Sequence, residues 1–293
     1  PEPSSWVNQS TGSMPSPSIA VAVPSYNQAK YLERTLDSIT TQGYSPLEIF
    51  VMDGGSTDES QSILSSRAHE LTAWRSEPDD GQGGAILDGW SMATTEVITW
   101  LNSDDLLLPG SLETAAALFD DGADVEIGDS VLIDETVVIT RYMPLWPGPR
   151  WMHAAGMIPV TQPGTFYRRS LAEEVGFFDR SLDYAMEFDL WHRLMEAGAQ
   201  LRYARRALAA LRIYEDTKSV SFASALEEEN RDVRRRYENV RGAAALARVS
   251  RRMAKYPYGM RYVAPGMWEK TRRKIRWSRT PTDVSQVDWN FSD

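Results

Sequence analysis

The 293-residue sequence predicts an α/β fold built on a largely parallel sheet with helices on both faces. Two observations carry that expectation. Short apolar runs of strand length alternate with segments of helical periodicity, which is the pattern of βαβ units. The first strands are each followed by a polar loop rich in Gly, Asp, Asn or Ser, and loops that follow parallel strands gather along one edge of a sheet. An apolar content of 42% supplies enough material for a substantial core.

Residues 1–17, rich in Pro and Ser, are expected to form a flexible lead-in. Residues 18–24 read as the first strand, closed by Pro24-Ser25-Tyr26-Asn27. Leu32, Leu36 and Ile39 lie at i, i+4 and i+7 and mark a helix that ends near Gly43. Residues 47–52 form the second strand, with Asp53-Gly54-Gly55-Ser56-Thr57-Asp58 as its exit loop, and 60–71 can be helical. Residues 72–76 are the third strand, leading to Glu77-Pro78-Asp79-Asp80-Gly81-Gln82-Gly83-Gly84 and a helix over 85–93. The apolar, β-branched run 96–101 is a buried fourth strand, and it ends in Asn102-Ser103-Asp104-Asp105.

After a helix at 111–119 the pattern changes. Residues 125–133 and 137–141, joined through Asp134-Glu135-Thr136, read as a β-hairpin. A Pro- and Trp-rich connector over 144–159 supplies Trp146, Trp151 and His153. A helix at 170–175 is followed by one that opens at Tyr184-Ala185-Met186-Glu187, with Leu190, Leu194 and Ala197 on one face and Gly198 as its stop. Residues 208–214 are a strand, and beyond Thr217 the chain becomes helical and basic. One domain over 18–219, with halves at 18–105 and 106–219, and an extension over 220–293 are therefore expected.

Composition narrows the chemistry. Without cysteine there is neither a disulfide nor a thiolate metal site, and three His are a poor basis for zinc. No apolar run approaches the ~20 residues of a membrane span, and no signal-peptide core is visible, so a soluble, cytoplasmic protein is expected. The net charge of −10 hides an asymmetry: residues 231–279 hold 16 Lys and Arg against 3 Asp and Glu. That segment is expected to dock on the acidic body, to dimerise, or to touch a membrane surface peripherally. Nucleic acid is not an expected partner.

The stretch Asn102-Ser103-Asp104-Asp105 carries the most chemistry. It places two adjacent carboxylates where a central strand ends, the usual ligand edge of an open α/β sheet. Carboxylate oxygens suit Mg²⁺ or Mn²⁺, which commonly bridge to substrate phosphates. Taken alone, the same residues equally suit a surface turn.

Taken in order, the loops resemble those of the inverting family-2 glycosyltransferases, which have the Rossmann-like GT-A fold. The likeness covers roughly residues 19–219. It rests on Val23-Pro24-Ser25-Tyr26-Asn27, Val51-Met52-Asp53-Gly54-Gly55-Ser56-Thr57-Asp58, Ser76-Glu77-Pro78-Asp79-Asp80-Gly81-Gln82 and Trp100-Leu101-Asn102-Ser103-Asp104-Asp105. Gln162-Pro163-Gly164-Thr165-Phe166, Glu187-Phe188-Asp189-Leu190-Trp191 and Arg212-Ile213-Tyr214 extend it.

The resemblance implies transfer of a sugar from a nucleotide-diphosphate sugar, UDP favoured and GDP or dTDP the alternatives, to a glycan or other hydroxyl acceptor with inversion. Residues 18–105 become the nucleotide-binding half and 106–219 the acceptor half. Pro24, Ser25 and Tyr26 are implied to line the nucleotide pocket, Asp53 to hydrogen-bond base or ribose, and Asp80 and Gly81 to approach the nucleotide closely. Asn102-Ser103-Asp104 overlies the family's Asp-x-Asp motif, with Asp104 on Mg²⁺ or Mn²⁺ and Asn102 nearest the ribose. Glu187 falls at the general base, with Asp189 as runner-up. Trp146, Trp151, Gln162 and Gly164 are acceptor-side candidates. Arg212 and Lys218 either reach the diphosphate or pair with surface acids.

Three departures stand out. Asn102 replaces the motif's first Asp, Gly84 stands where relatives often carry an acid, and Tyr214 stands where many carry a metal-binding His. A sugar nucleotidyltransferase is the alternative enzyme class, but its Gly-rich, basic loop after the first strand is missing at Pro24-Ser25-Tyr26-Asn27. A nucleotide- or glycan-binding relative with weakened catalysis is the second alternative, motivated by Asn102 and Tyr214.

Overall fold

The computed structural model describes residues 16–143, 162–214, 223–237 and Asp283. The first half alternates strand and helix: β1 (Ile19–Ser25), α1 (Ala29–Thr40), β2 (Leu47–Asp53), α2 (Ser60–Ser66) with a 3-10 turn at Ala68–Glu70, β3 (Ala73–Ser76), α3 (Gly81–Met92) and β4 (Val97–Trp100). The second half contains β5 (Leu106–Leu107), α4 (Ser111–Asp120), β6 (Val125–Ile133), β7 (Ile139–Met143), β8 (Thr165–Arg168), α5 (Arg169–Glu174), α6 (Met186–Glu196) and β9 (Leu201–Arg212). Helix α7 (Ala223–Tyr237) follows.

These strands form one sheet in the order β3-β2-β1-β4-β8-β6-β9-β5, with β7 branching from β6. Strands β3, β2, β1 and β4 are mutually parallel. Strand β8 then joins antiparallel to both β4 and β6, β6 pairs parallel with β9, and β5 closes the far side antiparallel to β9. The sheet is thus parallel where the nucleotide-binding half was expected and mixed beyond it.

Strand β1 is buried along its whole length, because helices cover both faces. Alternation along the strand sends Ala20 and Ala22 into one core with Phe50, Ile98 and Trp100, beneath Ile86 and Trp90 of α3 and Leu190 and Leu194 of α6. Ile19, Val21 and Val23 enter the other core, with Leu32, Leu36 and Ile39 of α1 and Leu112 and Phe119 of α4. Helix α3 lies so close to the sheet that a Cβ at Gly89 would stand 2.9 Å from the Cβ of Ala22.

Several elements differ from their expected extents, each for a tertiary reason. Helix α3 begins at Gly81, four residues before the expected start at 85. Glycines are weak helix formers, but the Asp79 carboxylate accepts the Gly81 N–H at 2.8 Å and Gln82 is tied to Asn102 at 2.6 Å. The short β5 exists only through its pairing with Ala209 and Ala210 of β9. Strand β8, read as a loop motif, is fixed by partners on both sides. Strand β9 begins at Leu201, seven residues early; the Arg-rich stretch 202–206 shows no apolar alternation, and pairing with β6 makes it a strand. Strand β7 begins at Ile139 because Val137 adopts φ 68° in the turn before it.

Most of the expected lead-in, the connector bearing Trp146, Trp151 and His153, Lys218, and most of the basic extension lie outside the described residues. Among the described residues no helix is long and apolar enough to cross a membrane.

Candidate active site

The loops at the carboxyl ends of β1, β2 and β3 are stitched together. The Gly54 N–H donates to the Ser25 carbonyl at 2.8 Å. The Asn27 N–H donates to Ser56 Oγ at 2.7 Å, and Asn27 Oδ1 accepts from the Thr57 N–H at 2.9 Å. Asp53 is fully buried and accepts from Ser56 N at 2.9 Å, Ser56 Oγ at 2.5 Å and Ser76 Oγ at 2.5 Å. The Asp53 carboxylate therefore holds the second and third loops at a fixed separation. Pro24 and Ser25 are buried at the strand end, whereas the Tyr26 ring is 62% exposed above them. Close packing demands glycine here: at Gly55 (φ 81°) a Cβ would lie 3.2 Å from the Pro78 nitrogen. Asp79 lies against Gly54, and its pKa is raised by burial. Asp80 is largely exposed, 3.9 Å from the Arg180 guanidinium.

The fourth loop carries the acidic pair. Gln82 Nε2, in the first turn of α3, donates to Asn102 Oδ1 at 2.6 Å, and Asn102 Nδ2 donates to Asp105 Oδ2 at 3.1 Å. Asp105 is buried and also accepts the Arg212 N–H at 2.8 Å. Burial, reinforced by the neighbouring Asp104, pushes the Asp105 pKa well above the usual carboxylate range. Asp104 is half-buried; burial raises its pKa too, against the hydrogen bond from Tyr214. Tyr214 Oη donates to Asp104 Oδ2 at 2.9 Å and accepts from Gln28 Nε2 at 3.2 Å. Where the resemblance implied a metal-binding His, the phenol is a hydrogen-bond donor to Asp104. Its own pKa is raised by burial and by the Asp104 charge.

Two residues that hold this loop were not singled out for it in the sequence. Thr35 Oγ1 donates to the Ser103 carbonyl at 2.9 Å and the Asp105 carbonyl at 2.8 Å. Thr35 shares the buried face of α1 with Leu32, Leu36 and Ile39, and a hydroxyl on an apolar face was the available signal. Arg212 does not pair with surface acids. Its buried guanidinium donates to the carbonyls of Asp104 at 2.8 Å, Asp134 at 2.9 Å and Glu135 at 3.2 Å, and it lies 4.5 Å over the Tyr31 ring. Arg212 is the splint under the acidic loop, because a guanidinium presents several donors in a fixed plane.

Glu187 lies in the first turn of α6 and is half-buried. Two observations locate it. A Cβ at Gly83 would meet Met186 Sδ at 3.0 Å, so the first turns of α3 and α6 abut. The Glu187 charge also acts on the buried Tyr167 hydroxyl, helping to raise its pKa after the larger effect of burial. Tyr167 is stacked on Trp100 at 5.8 Å, and Trp100 ends β4 just before the acidic loop. Asp189, two residues further on in the same first turn, is buried and ion-paired with Arg193 at 2.8 Å.

The two described acceptor-side candidates have structural partners. Gln162 is buried, and its Nε2 donates to the Trp100 carbonyl at 2.7 Å. Gly164 has φ 107°, and its carbonyl accepts the Gly128 N–H at 3.0 Å. Trp146 and Trp151 lie outside the described residues.

The Glycosyl transferase family 2 model matches residues 20–176, more than half of the chain. The chain belongs to this family. An uncharacterized glycosyltransferase of Nostoc sp. is 36% identical over 105 residues, covering 34% of this chain and 32% of that protein. One from Rickettsia typhi is 25% identical over 224 residues, covering 73% of this chain and 69% of its own length. The crystal structure of Staphylococcus aureus TarS 1-349 in complex with UDP-GlcNAc superposes with a TM-score of 0.61 at 20% identity, covering 74% of this chain and 64% of that one. The chain thus spans about a third of the Nostoc relative and just under two thirds of the TarS fragment. This member of the family has the GT-A fold, and the strand-exit loops described above lie at one edge of it. The nucleotidyltransferase alternative is left without support.

Proposed function

We propose that this glycosyltransferase moves a sugar from a nucleotide-diphosphate sugar to an acceptor hydroxyl with inversion, using Glu187 as general base. The observation that carries the reading is the meeting of three elements: the Asn102–Asp105 loop, the first turn of α3 bound to it through Gln82, and the first turn of α6 bearing Glu187 beside Gly83. A donor seated on the first two would present its anomeric carbon toward the third.

In this reading Pro24, Ser25 and the exposed Tyr26 ring border the nucleoside, with Asp53 holding the loops around it. Asp80, Gly81 and Asn102 lie along the ribose and diphosphate, where three glycines in the first turn of α3 let the ligand approach backbone closely. A uridine nucleotide is favoured, since TarS, of the same fold, was crystallised with UDP-GlcNAc and with UDP.

The donor set at Asp104 suits a hard divalent ion of the Mg²⁺ or Mn²⁺ kind. One carboxylate oxygen is taken by Tyr214, and among the described residues no group of three or more His, Asp or Glu gathers there. Such ions are commonly held by one or two carboxylates and completed by substrate phosphates and water. Asp104 would hold the ion, and the ion would supply charge stabilisation for the departing nucleoside diphosphate. Glu187 accepts the proton of the acceptor hydroxyl as its oxygen forms the new bond to the anomeric carbon and the bond to the diphosphate oxygen breaks. Asp189 is a poor base by comparison, because Arg193 already occupies its carboxylate.

Calorimetric titration with UDP-, GDP- and dTDP-sugars in the presence of Mg²⁺ or Mn²⁺ tests the donor class, and no binding by any of them overturns it. Release of nucleoside diphosphate then tests the base. Glu187→Gln should reduce turnover by roughly 10²–10⁴-fold while leaving donor affinity within a few-fold. Unchanged turnover would remove Glu187 from the mechanism.

A further inference from the structure

Helix α7 is tied to the element that carries Glu187. Glu229 directs its carboxylate at three successive backbone N–H groups just before α6: Asp183 at 3.2 Å, Tyr184 at 2.8 Å and Ala185 at 2.9 Å. Four residues on, Val233 is fully buried in the core cluster that includes Met186, Leu190 and Leu194. Three residues further, Arg236 bonds Asp179 at 2.7 Å and lies 3.7 Å from Asp189. Positions 229, 233 and 236 fall on one stripe of a helix, at i, i+4 and i+7. That stripe therefore grips α6 at its start, along its apolar side and at its second charged residue.

We propose that Glu229 is a positioning residue for Glu187, so that the helix following the transferase domain sets the geometry of catalysis. The proposal rests on the assignment of Glu187 as base. Its physical basis is that the N–H groups of the N-cap Ala185 and of the two residues before it, like those of a helix's first turn, have no partner within the helix. A loop entering a helix with those groups unbound can rotate its first turn, and Glu187 is the second residue of that turn. A carboxylate accepting three consecutive N–H groups removes this freedom and interacts favourably with the helix dipole. Displacing a base by about 1 Å is enough to cost on the order of 10²-fold in rate.

The test measures release of nucleoside diphosphate from the nucleotide sugar, with and without acceptor, in the full chain. Glu229→Ala is expected to lower kcat 10- to 100-fold with KM and Kd for the donor within about two-fold. Glu229→Gln, which keeps one acceptor oxygen and the same shape, is expected to retain part of that loss and serves if the alanine variant does not fold. A double-mutant cycle separates positioning from general weakening: in a Glu187→Gln background, Glu229→Gln should lower the rate no further. Equal proportional losses in both backgrounds, or a loss confined to donor KM, would overturn the proposal. If Glu187→Gln itself leaves kcat unchanged, the base assignment fails. If Glu187→Gln lowers kcat and neither Glu229 variant does, only the positioning role fails.

Discussion

Asn102→Asp would introduce the acid that the resemblance implies for this position, and the structure indicates that the change is costly. Asn102 Nδ2 is one of the two donors that hold the buried Asp105 carboxylate, at 3.1 Å, the other being the Arg212 N–H. Replacing the amide by a carboxylate removes a hydrogen bond to a charged group, worth about 1.5–3 kcal/mol. It also sets two negative charges about 3 Å apart, a repulsion on the order of 5 kcal/mol at an effective dielectric of 20. Relaxation and protonation absorb part of this, so a net loss of roughly 2–4 kcal/mol is expected at pH 8 without metal, or about 5–15 °C in Tm for a domain of this size. The pH dependence has a definite sign. Both carboxylates would have folded-state pKa values above their unfolded ones, so the penalty is full above the folded pKa and fades as pH falls through it toward the unfolded carboxylate value of about 4. Differential scanning calorimetry at pH 8 and pH 5.5, with a chelator, checks both parts. An unchanged Tm at pH 8, or an equal penalty at the two pH values, would refute the reasoning. Added Mn²⁺ should recover part of the loss, because a bound cation would offset the introduced negative charge.

Other consequences are open to direct measurement. Gly89→Ala should destabilise by about 1–3 kcal/mol in denaturant titration through overpacking, although Ala is the better helix former, because the new methyl would lie 2.9 Å from Ala22 Cβ; a stabilised variant would contradict the close approach of α3 to the sheet. Arg212→Met should cost about 3 kcal/mol or more and weaken nucleotide binding, since three loop carbonyls lose their donor together. Asp179 is held down to about 2 by the Ser181 hydroxyl and then by Arg236. Its contribution to docking of α7 is therefore complete above the usual carboxylate pKa and lost as pH falls from about 4 toward 2. Protection of the amides of residues 223–237, relative to their intrinsic exchange rates, should fall over that interval, and unchanged protection would exclude the contact as a major tether.

Much of this architecture was legible in the chain because each signal was local. Strands β1, β2 and β4 are short apolar runs, and each ends in residues that favour turns, which is enough to place the loops at one edge of a parallel sheet. The order of those loops then pointed to the family. Elements whose identity depends on a distant partner were not legible. Leu106 and Leu107 become a strand only beside Ala209 and Ala210, and the Arg-rich start of β9 only beside β6. The Gly-rich start of α3 contradicts intrinsic propensity and is won by Asp79 and Asn102 across the loops.

The site divides in the same way. The sequence by itself determined that a carboxylate pair follows a central strand and that an acidic residue opens the helix at Glu187, while the resemblance implied that Asn102 and Tyr214 are departures. Only the tertiary structure decided what those departures mean. Asn102 donates to a carboxylate that burial has made intolerant of a second charge, and Tyr214 donates a hydrogen bond to Asp104 from a position 110 residues along the chain. The same holds for Arg212, read as a surface or phosphate-facing cation and found buried beneath the acidic loop, and for Glu229, which nothing in its neighbours distinguished. Hydrogen-bond partners and burial are properties of the folded environment, and a carboxylate, an amide or a guanidinium carries no local mark of either.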